Sequence, residues 1–169
     1  MQQILNFIDG QLVAPQGGNF MDNIEPSTGS IYSQIADSNA VDVDAAVKAA
    51  KAAWPAWKNT APQERAAMLN KLADLMTAKQ DDFIRAEVVD NGKPMSLASR
   101  VDVPRGIANL RAFADAALEF SGEEFSKPAS YSYTLRAPIG IVSVISPWNL
   151  PLLLFTCLLY TSPSPRDRG

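Results

Sequence analysis

Residues 136–154 read RAPIGIVSVISPWNLPLLL, and the fold turns on how this stretch is read. After Pro138, residues 139–145 are β-branched and almost entirely apolar, the composition expected of a strand buried on both faces in a parallel sheet. Ser146, Pro147, Trp148 and Asn149 follow at once, so the strand ends by delivering its side chains to the carboxyl edge of a sheet, where open α/β sheets bind ligands. Asn149 offers a neutral amide N–H donor there and Trp148 a flat apolar wall. A plainer reading of Asn149 is that its amide satisfies the turn between strand and helix.

Working outward, residues 131–136 alternate Tyr131, Tyr133 and Leu135 with Ser132, Thr134 and Arg136, which is the period of a strand. Upstream, Ile107, Leu110, Ala114 and Leu118 recur at helical spacing and predict a long amphipathic helix over residues 101–120. A shorter helix around residues 83–89 is expected to end at Asn91-Gly92, a left-handed cap, with Pro94 blocking its continuation. Leu69, Leu72, Ala73 and Met76 mark one face of a helix for which Thr60 and Gln63 suggest a capping box. Another helix, capped by Asp42, runs toward Trp54 and is interrupted at Pro55. The first 36 residues are short extended pieces divided by turns, with Asp9-Gly10 a hairpin signal because both residues tolerate positive φ. Opening hairpins, a helical block, an alternating strand and one buried parallel strand together predict an α/β fold.

The totals narrow the function. At 169 residues with 47% hydrophobic and 20% charged content, the chain has the size and balance of one globular domain or a piece of one. Fifteen Lys and Arg are scattered among 18 acidic residues for a net charge of -3, which leaves no basic stripe for nucleic acid. No apolar run reaches membrane-spanning length and the first ten residues do not form a secretory signal, so a cytoplasmic protein is expected. The chain has no histidine; Ser-His and Cys-His pairs and the usual zinc ligand sets are therefore unavailable within it, and no transition metal is expected. No GxGxxG or P-loop string is present.

Four segments carry a resemblance in common. NFIDG at residues 6–10 with NIEPSTG at residues 23–29, AVKAAKAAWPAW at residues 46–57 with ERAAMLNKLADLM at residues 64–76, EVVDNGKP at residues 87–94, and RAPIGIVSVISPWNLPLLL at residues 136–154 resemble, in this order and at suitable distances, the amino-terminal part of the aldehyde dehydrogenase superfamily. The resemblance covers residues 5–156 and implies the first part of a Rossmann-like NAD(P)-binding domain. It implies an enzyme that attacks an aldehyde with a cysteine thiolate, passes hydride to a nicotinamide and hydrolyses the thioester with a glutamate base. Asn149 matches the family's oxyanion-stabilising asparagine. Ile145, Ser146, Pro147 and Trp148, with Asn149, match positions that line the cofactor cleft, for NAD or NADP with NAD favoured. The phrase SPWNLPLLLFT leans toward the branch that oxidises 2-hydroxymuconic or aminomuconic semialdehyde.

The same resemblance implies a monovalent cation site from the carbonyls of Asn23 and Ile24 with the Asp102 carboxylate; the plain alternative for Asp102 is a helix N-cap or first-turn acid. Residues 125–137 resemble the family's oligomerisation arm, which implies a homo-oligomer, the alternative being an ordinary edge strand. Glu87 and Asp90, three apart on a surface helix, are expected to be solvated. Cys157 stands outside the context of the family nucleophile and has no basic neighbour in the sequence closer than Arg166, so it reads as an inert thiol. Residues 157–169 (CLLYTSPSPRDRG) break the order of the chain, and CLLYTSPSPRD resembles an in-frame translation of a sequencing-library adapter; the domain is expected to span residues 1–156 and the remainder to be a non-native or disordered tail. A natural frameshift or splice ending is the alternative. A chain that lacks the nucleophilic cysteine and the glutamate base is expected to be inactive alone. The competing class is a non-enzymatic module that pairs through its exposed strand with a longer homologue.

Overall fold

The computed structural model describes residues 1–119, 124–134 and 137–161. The opening segment forms five short strands: β1 (Gln2–Ile4), β2 (Asn6–Ile8), β3 (Gln11–Val13), β4 (Phe20–Glu25) and β5 (Ser30–Ala36). The two-residue turn between β2 and β3 holds Asp9 at φ 52° and Gly10 at φ 76°, the double left-handed geometry that matches the twist of a hairpin. β4 pairs antiparallel with β5, β1 joins the far edge of β5 in parallel, and the register of the β4–β5 pair shifts between Asn23 and Ile24.

Three helices follow, α1 (Ala40–Trp57), α2 (Pro62–Ala78) and α3 (Gln80–Asn91). The α1 cap is Asn39 rather than the expected Asp42: the Asn39 side chain accepts the Val41 N–H, and Asp42, three residues on, returns a bond to the Asn39 N–H at 2.9 Å. Asp42 is the acidic half of a capping box, a role open to any carboxylate at that position. Pro55 does not interrupt α1, which runs through it to Trp57. The expected Thr60–Gln63 box is not formed; α2 begins with Pro62 after an extended Ala61 that makes no side-chain cap bond, and the Thr60 hydroxyl donates back to the Ala56 carbonyl at 3.3 Å. Proline in the first turn needs no N–H partner, so this start requires little capping.

Gly92 ends α3 at φ 72°, as its sequence predicts. A Cβ there would meet the Pro26 Cβ at 3.2 Å, so the same glycine permits the left-handed cap and the close approach of the β4–β5 turn. A short helix, α4 (Met95–Leu97), leads through a π-helical turn at Ala98–Asp102 into α5 (Val103–Glu119). The wide turn, in which the Val103 N–H reaches the Ala98 carbonyl, lies where Pro104 has no N–H to give four residues back. α2 and α5 make the most extensive helix contact. Their shared core joins Ala73, Met76, Ile84, Ala98, Val103, Ile107 and Leu110, with Leu69, Phe83, Val88 and Leu152 packed against it; burial of each larger aliphatic side chain contributes roughly 1.5–3 kcal/mol. Leu118, expected on this face, is exposed, and Ala117 is buried in its place.

β6 (Glu124–Lys127) and β7 (Ser130–Tyr133) form an antiparallel hairpin in which every residue is exposed. The alternation expected over residues 131–136 is realised only in β7, and Leu135 and Arg136 lie outside the described residues. Residues 139–145 form no strand. Ile139, Ile141, Val142 and Ile145 are exposed, which corrects the expectation of a buried parallel strand. A strand needs partners for its backbone and cover for both faces, and among the described residues no segment pairs with it. The segment ends at α6 (Pro151–Thr161), which packs on α5 beside Gly106 and carries the helix past residue 156. Residues 162–169 of the expected tail lie outside the described residues. The result is mixed helix and strand with small sheets, an opening part of an α/β domain.

Candidate functional site

The candidate site is the bend at residues 146–150, between the unpaired segment 139–145 and α6. Pro147 and Pro151 bracket it and exclude helix before Pro151. Ile145 is 87% exposed and Trp148 82%, Ser146 is half-buried, and Pro147 and Asn149 face solvent. Asn149 therefore carries its amide outward. Its backbone carbonyl, not its side chain, is bonded, accepting from the Lys93 ammonium at 3.1 Å. Among the described residues the side-chain amide has no partner, so it is not consumed in capping the turn.

Lys93 comes from the loop after α3 and is 8% exposed at its side chain, between Glu87 at 5% and Asp102 at 0%. Its ammonium donates to Glu87 Oε2 at 2.6 Å and, more closely still, to Asp102 Oδ2. Glu87 Oε1 in turn accepts the Leu152 N–H at 3.1 Å, at the start of α6. Burial alone would lower the Lys93 pKa, but hydrogen bonds and charge from Asp102 and Glu87 outweigh it and hold the ammonium above its ordinary value. Glu87 is thus a buried ion-pair member rather than the solvated acid expected from its spacing. Asp102 is neither a solvated cap nor a first-turn acid; it closes the π turn with Oδ2 on Lys93 and Oδ1 buried without a partner among the described residues.

Asn23 and Ile24 lie at the irregular point of β4. The Asn23 amide donates to the Tyr32 hydroxyl at 2.7 Å and to Asp90 at 3.2 Å, and the Tyr32 hydroxyl donates to Asp90 at 2.7 Å. Burial, then the hydrogen bond and charge of Asp90, raise the Tyr32 pKa above 10.0. The fold therefore brings Asp102 and Asn149 together on one ammonium, while Asn23 reaches α3 at Asp90 and Ile24, beside it, is exposed. Sequence reasoning missed Lys93. The available signal was Glu87 and Lys93 six residues apart across a left-handed cap, with Asp102 the only acid between Lys93 and α5.

The small sheets and packed helices, with an uncommitted amide at the turn into α6, form the opening part of an α/β domain. Comparison with known proteins gives the family. The profile of the aldehyde dehydrogenase family matches residues 12–161. The chain is 41% identical over 153 residues to the 2-aminomuconic semialdehyde dehydrogenase of Homo sapiens, covering 89% of this chain and 31% of that protein. It is likewise 41% identical over 162 residues to the 2-hydroxymuconic semialdehyde dehydrogenase of Pseudomonas sp. (strain CF600), covering 92% and 33%. Among solved structures, a putative aldehyde dehydrogenase from Burkholderia cenocepacia superposes with a TM-score of 0.86 at 36% identity, over 92% of this chain and 32% of that one. PnpE in complex with nicotinamide adenine dinucleotide superposes with a TM-score of 0.85 at 38% identity, with the same coverage. The chain belongs to the aldehyde dehydrogenase family. It spans about a third of the length of the curated relatives it matches.

Proposed function

We propose that the chain supplies the opening part of an NAD(P)-dependent enzyme that oxidises an aldehyde to a carboxylic acid, with a semialdehyde as substrate and NAD favoured over NADP. The observation that carries this reading is the Asn149 amide, exposed and uncommitted at the end of a segment inside the family match. A donor fixed in that position stabilises negative oxygen as the aldehyde carbonyl becomes tetrahedral, a contribution of roughly 10² to 10³ in rate. The thiolate that attacks the carbonyl and the carboxylate that activates water lie outside this chain.

Ile145, Ser146, Pro147 and Trp148 with Asn149 are proposed to line the cofactor. Their character fits: Ile145 and Trp148 present large apolar surface to solvent, and the half-buried Ser146 sits between them. These residues would hold a nicotinamide cofactor, which would supply a hydride acceptor for the substrate carbon. For a monovalent cation, the Asn23 and Ile24 carbonyls with Asp102 are proposed as ligands; the register shift in β4 and the unpartnered Asp102 Oδ1 suit that role. The exposed hairpin within residues 125–137 is proposed as the arm through which copies associate. Residues 157–169 are proposed to add nothing to the chemistry, with Cys157 an inert thiol in α6.

In a longer protein carrying residues 1–156, Asn149→Ala is expected to lower kcat by about two to three orders of magnitude with a smaller change in aldehyde KM, followed by formation of reduced nicotinamide. Unchanged kcat would sink the assignment of Asn149. The 169-residue chain alone is expected to give no turnover above a tail-only control. A second reading, a non-enzymatic module that pairs with a longer homologue, is favoured by one observation: Phe125, Tyr131 and Tyr133 all face solvent on the hairpin. Co-purification that depends on Tyr131 and Tyr133, without any enhancement of turnover, would support it.

A further inference from the structure

Lys93 and Glu87 grip the two ends of the Asn149 turn. Lys93 holds the Asn149 carbonyl at 3.1 Å, and Glu87 holds the Leu152 N–H at the same distance. The two grips are joined by the 2.6 Å ion pair between their side chains, and Asp102 holds the ammonium from its other side. All three charged side chains are buried, a costly arrangement that apolar residues of equal volume could replace without loss of stability. Apolar residues could not, however, fix a carbonyl and an N–H three residues apart, which requires a donor and an acceptor of defined direction. Because the peptide is planar, fixing the Asn149 carbonyl fixes the plane that leaves its Cα. The direction in which the Asn149 side chain departs is then limited by α3 and the π turn and not by the exposed segment before it alone.

We propose that Lys93, seated between Glu87 and Asp102, is a positioning residue whose buried ion cluster clamps residues 149–152 and so aims the Asn149 amide. The consequence for catalysis rests on the reading of Asn149 given above; the clamp itself does not. Lys93 touches no reacting group. It acts through the Asn149 backbone, and Glu87 acts through the first turn of α6.

Hydrogen exchange on the 169-residue chain, with mass-spectrometric readout of residues 149–154 and of the α2–α5 core, tests the clamp directly. Lys93→Met is expected to speed exchange at residues 149–154 by about tenfold or more beyond whatever speeding the loss of global stability brings to the core, the effect of losing a hydrogen bond to a charged group. Where Lys93→Met fails to fold, Glu87→Gln decides: it keeps an acceptor for Leu152 but discharges the pair, and local exchange is expected to rise with the core intact. Asp74→Ala, which breaks the exposed Arg111–Asp74 pair at 2.7 Å, serves as the control and is expected to leave residues 149–154 unchanged. Unaltered exchange at residues 149–154 in a folded Glu87→Gln chain overturns the clamp.

In a turnover-competent longer protein, Lys93→Met is expected to lower kcat about tenfold with Asn149 present and less than about twofold in an Asn149→Ala background, the non-additivity of residues acting through one group. Fast local exchange combined with equal losses in both backgrounds would keep the clamp and overturn the role of Asn149, so the two failures are distinguishable.

Discussion

Residues 103–119 and residues 139–148 are both rich in apolar side chains, yet one forms the core and the other lies on the surface. The α5 helix makes its backbone bonds within itself, so packing against neighbouring helices, α2 foremost, is enough to bury Val103, Ile107 and Leu110. The segment from Ile139 to Trp148 is at least as apolar but has the composition of a strand, and a strand's bonds belong to its neighbours. Where no neighbour is paired, the same kind of side chain that stabilises α5 stays in water. Hydrophobic content therefore sets what a segment would gain by burial, while its secondary structure sets how much of the rest of the fold must be present to realise that gain.

Substitutions can break or sharpen this contrast. The largest expected effect is at the ion cluster joining the two regions: Lys93→Met leaves Glu87 and Asp102 buried without their cation and is expected to cost about 3–5 kcal/mol, measured by denaturant unfolding. Next is the core itself, where Leu110→Ala is expected to cost about 3 kcal/mol through the cavity it leaves, read from the same melts. Gly92→Ala should cost roughly 1–2 kcal/mol, since alanine must adopt a left-handed conformation with its Cβ against Pro26.

A smaller effect is expected from Tyr32. Its folded pKa is raised above the ordinary 10.0, so the folded state binds the phenolic proton more tightly than the unfolded chain does. That contribution is complete below pH 10.0 and is lost as the pH rises through the higher folded value. A spectrophotometric titration compared with Tyr32→Phe should show a tyrosine titrating late, and the variant's stability should fall less steeply in alkali. Least of all, Ile145→Ser is expected to change stability by no more than about 0.5 kcal/mol, because Ile145 is 87% exposed; a loss as large as that at Leu110 would mean that the segment is buried after all.

The parts of the fold legible in the sequence were those decided locally. The Asp9-Gly10 hairpin, the Gly92 cap and the spacing of Ile107, Leu110 and Ala114 depend on backbone preference and helical period, which a sequence displays directly. Caps were legible only in part: Asn39 and Asp42 are both plausible ends for α1, and which one caps depends on where the chain enters the helix. The site divides in the same way. Asn149 was marked by the turn residues around it. The burial of Glu87 was not, because its spacing from Asp90 says nothing of Lys93 folding back across Gly92, nor of α6 arriving from 65 residues away to place the Leu152 N–H on its carboxylate.

Asp42 shows what such sharing implies elsewhere in the chain. One of its oxygens takes the Gln16 N–H at 2.8 Å and the other the Asn39 N–H, so a single carboxylate serves both the glycine-rich loop before β4 and the entrance to α1. A protease nick at Gly17 would therefore not stay a local injury: once that loop drifts away, the first turn of a helix that starts more than 20 residues downstream loses the partner that kept its acid in place, and fraying would begin there.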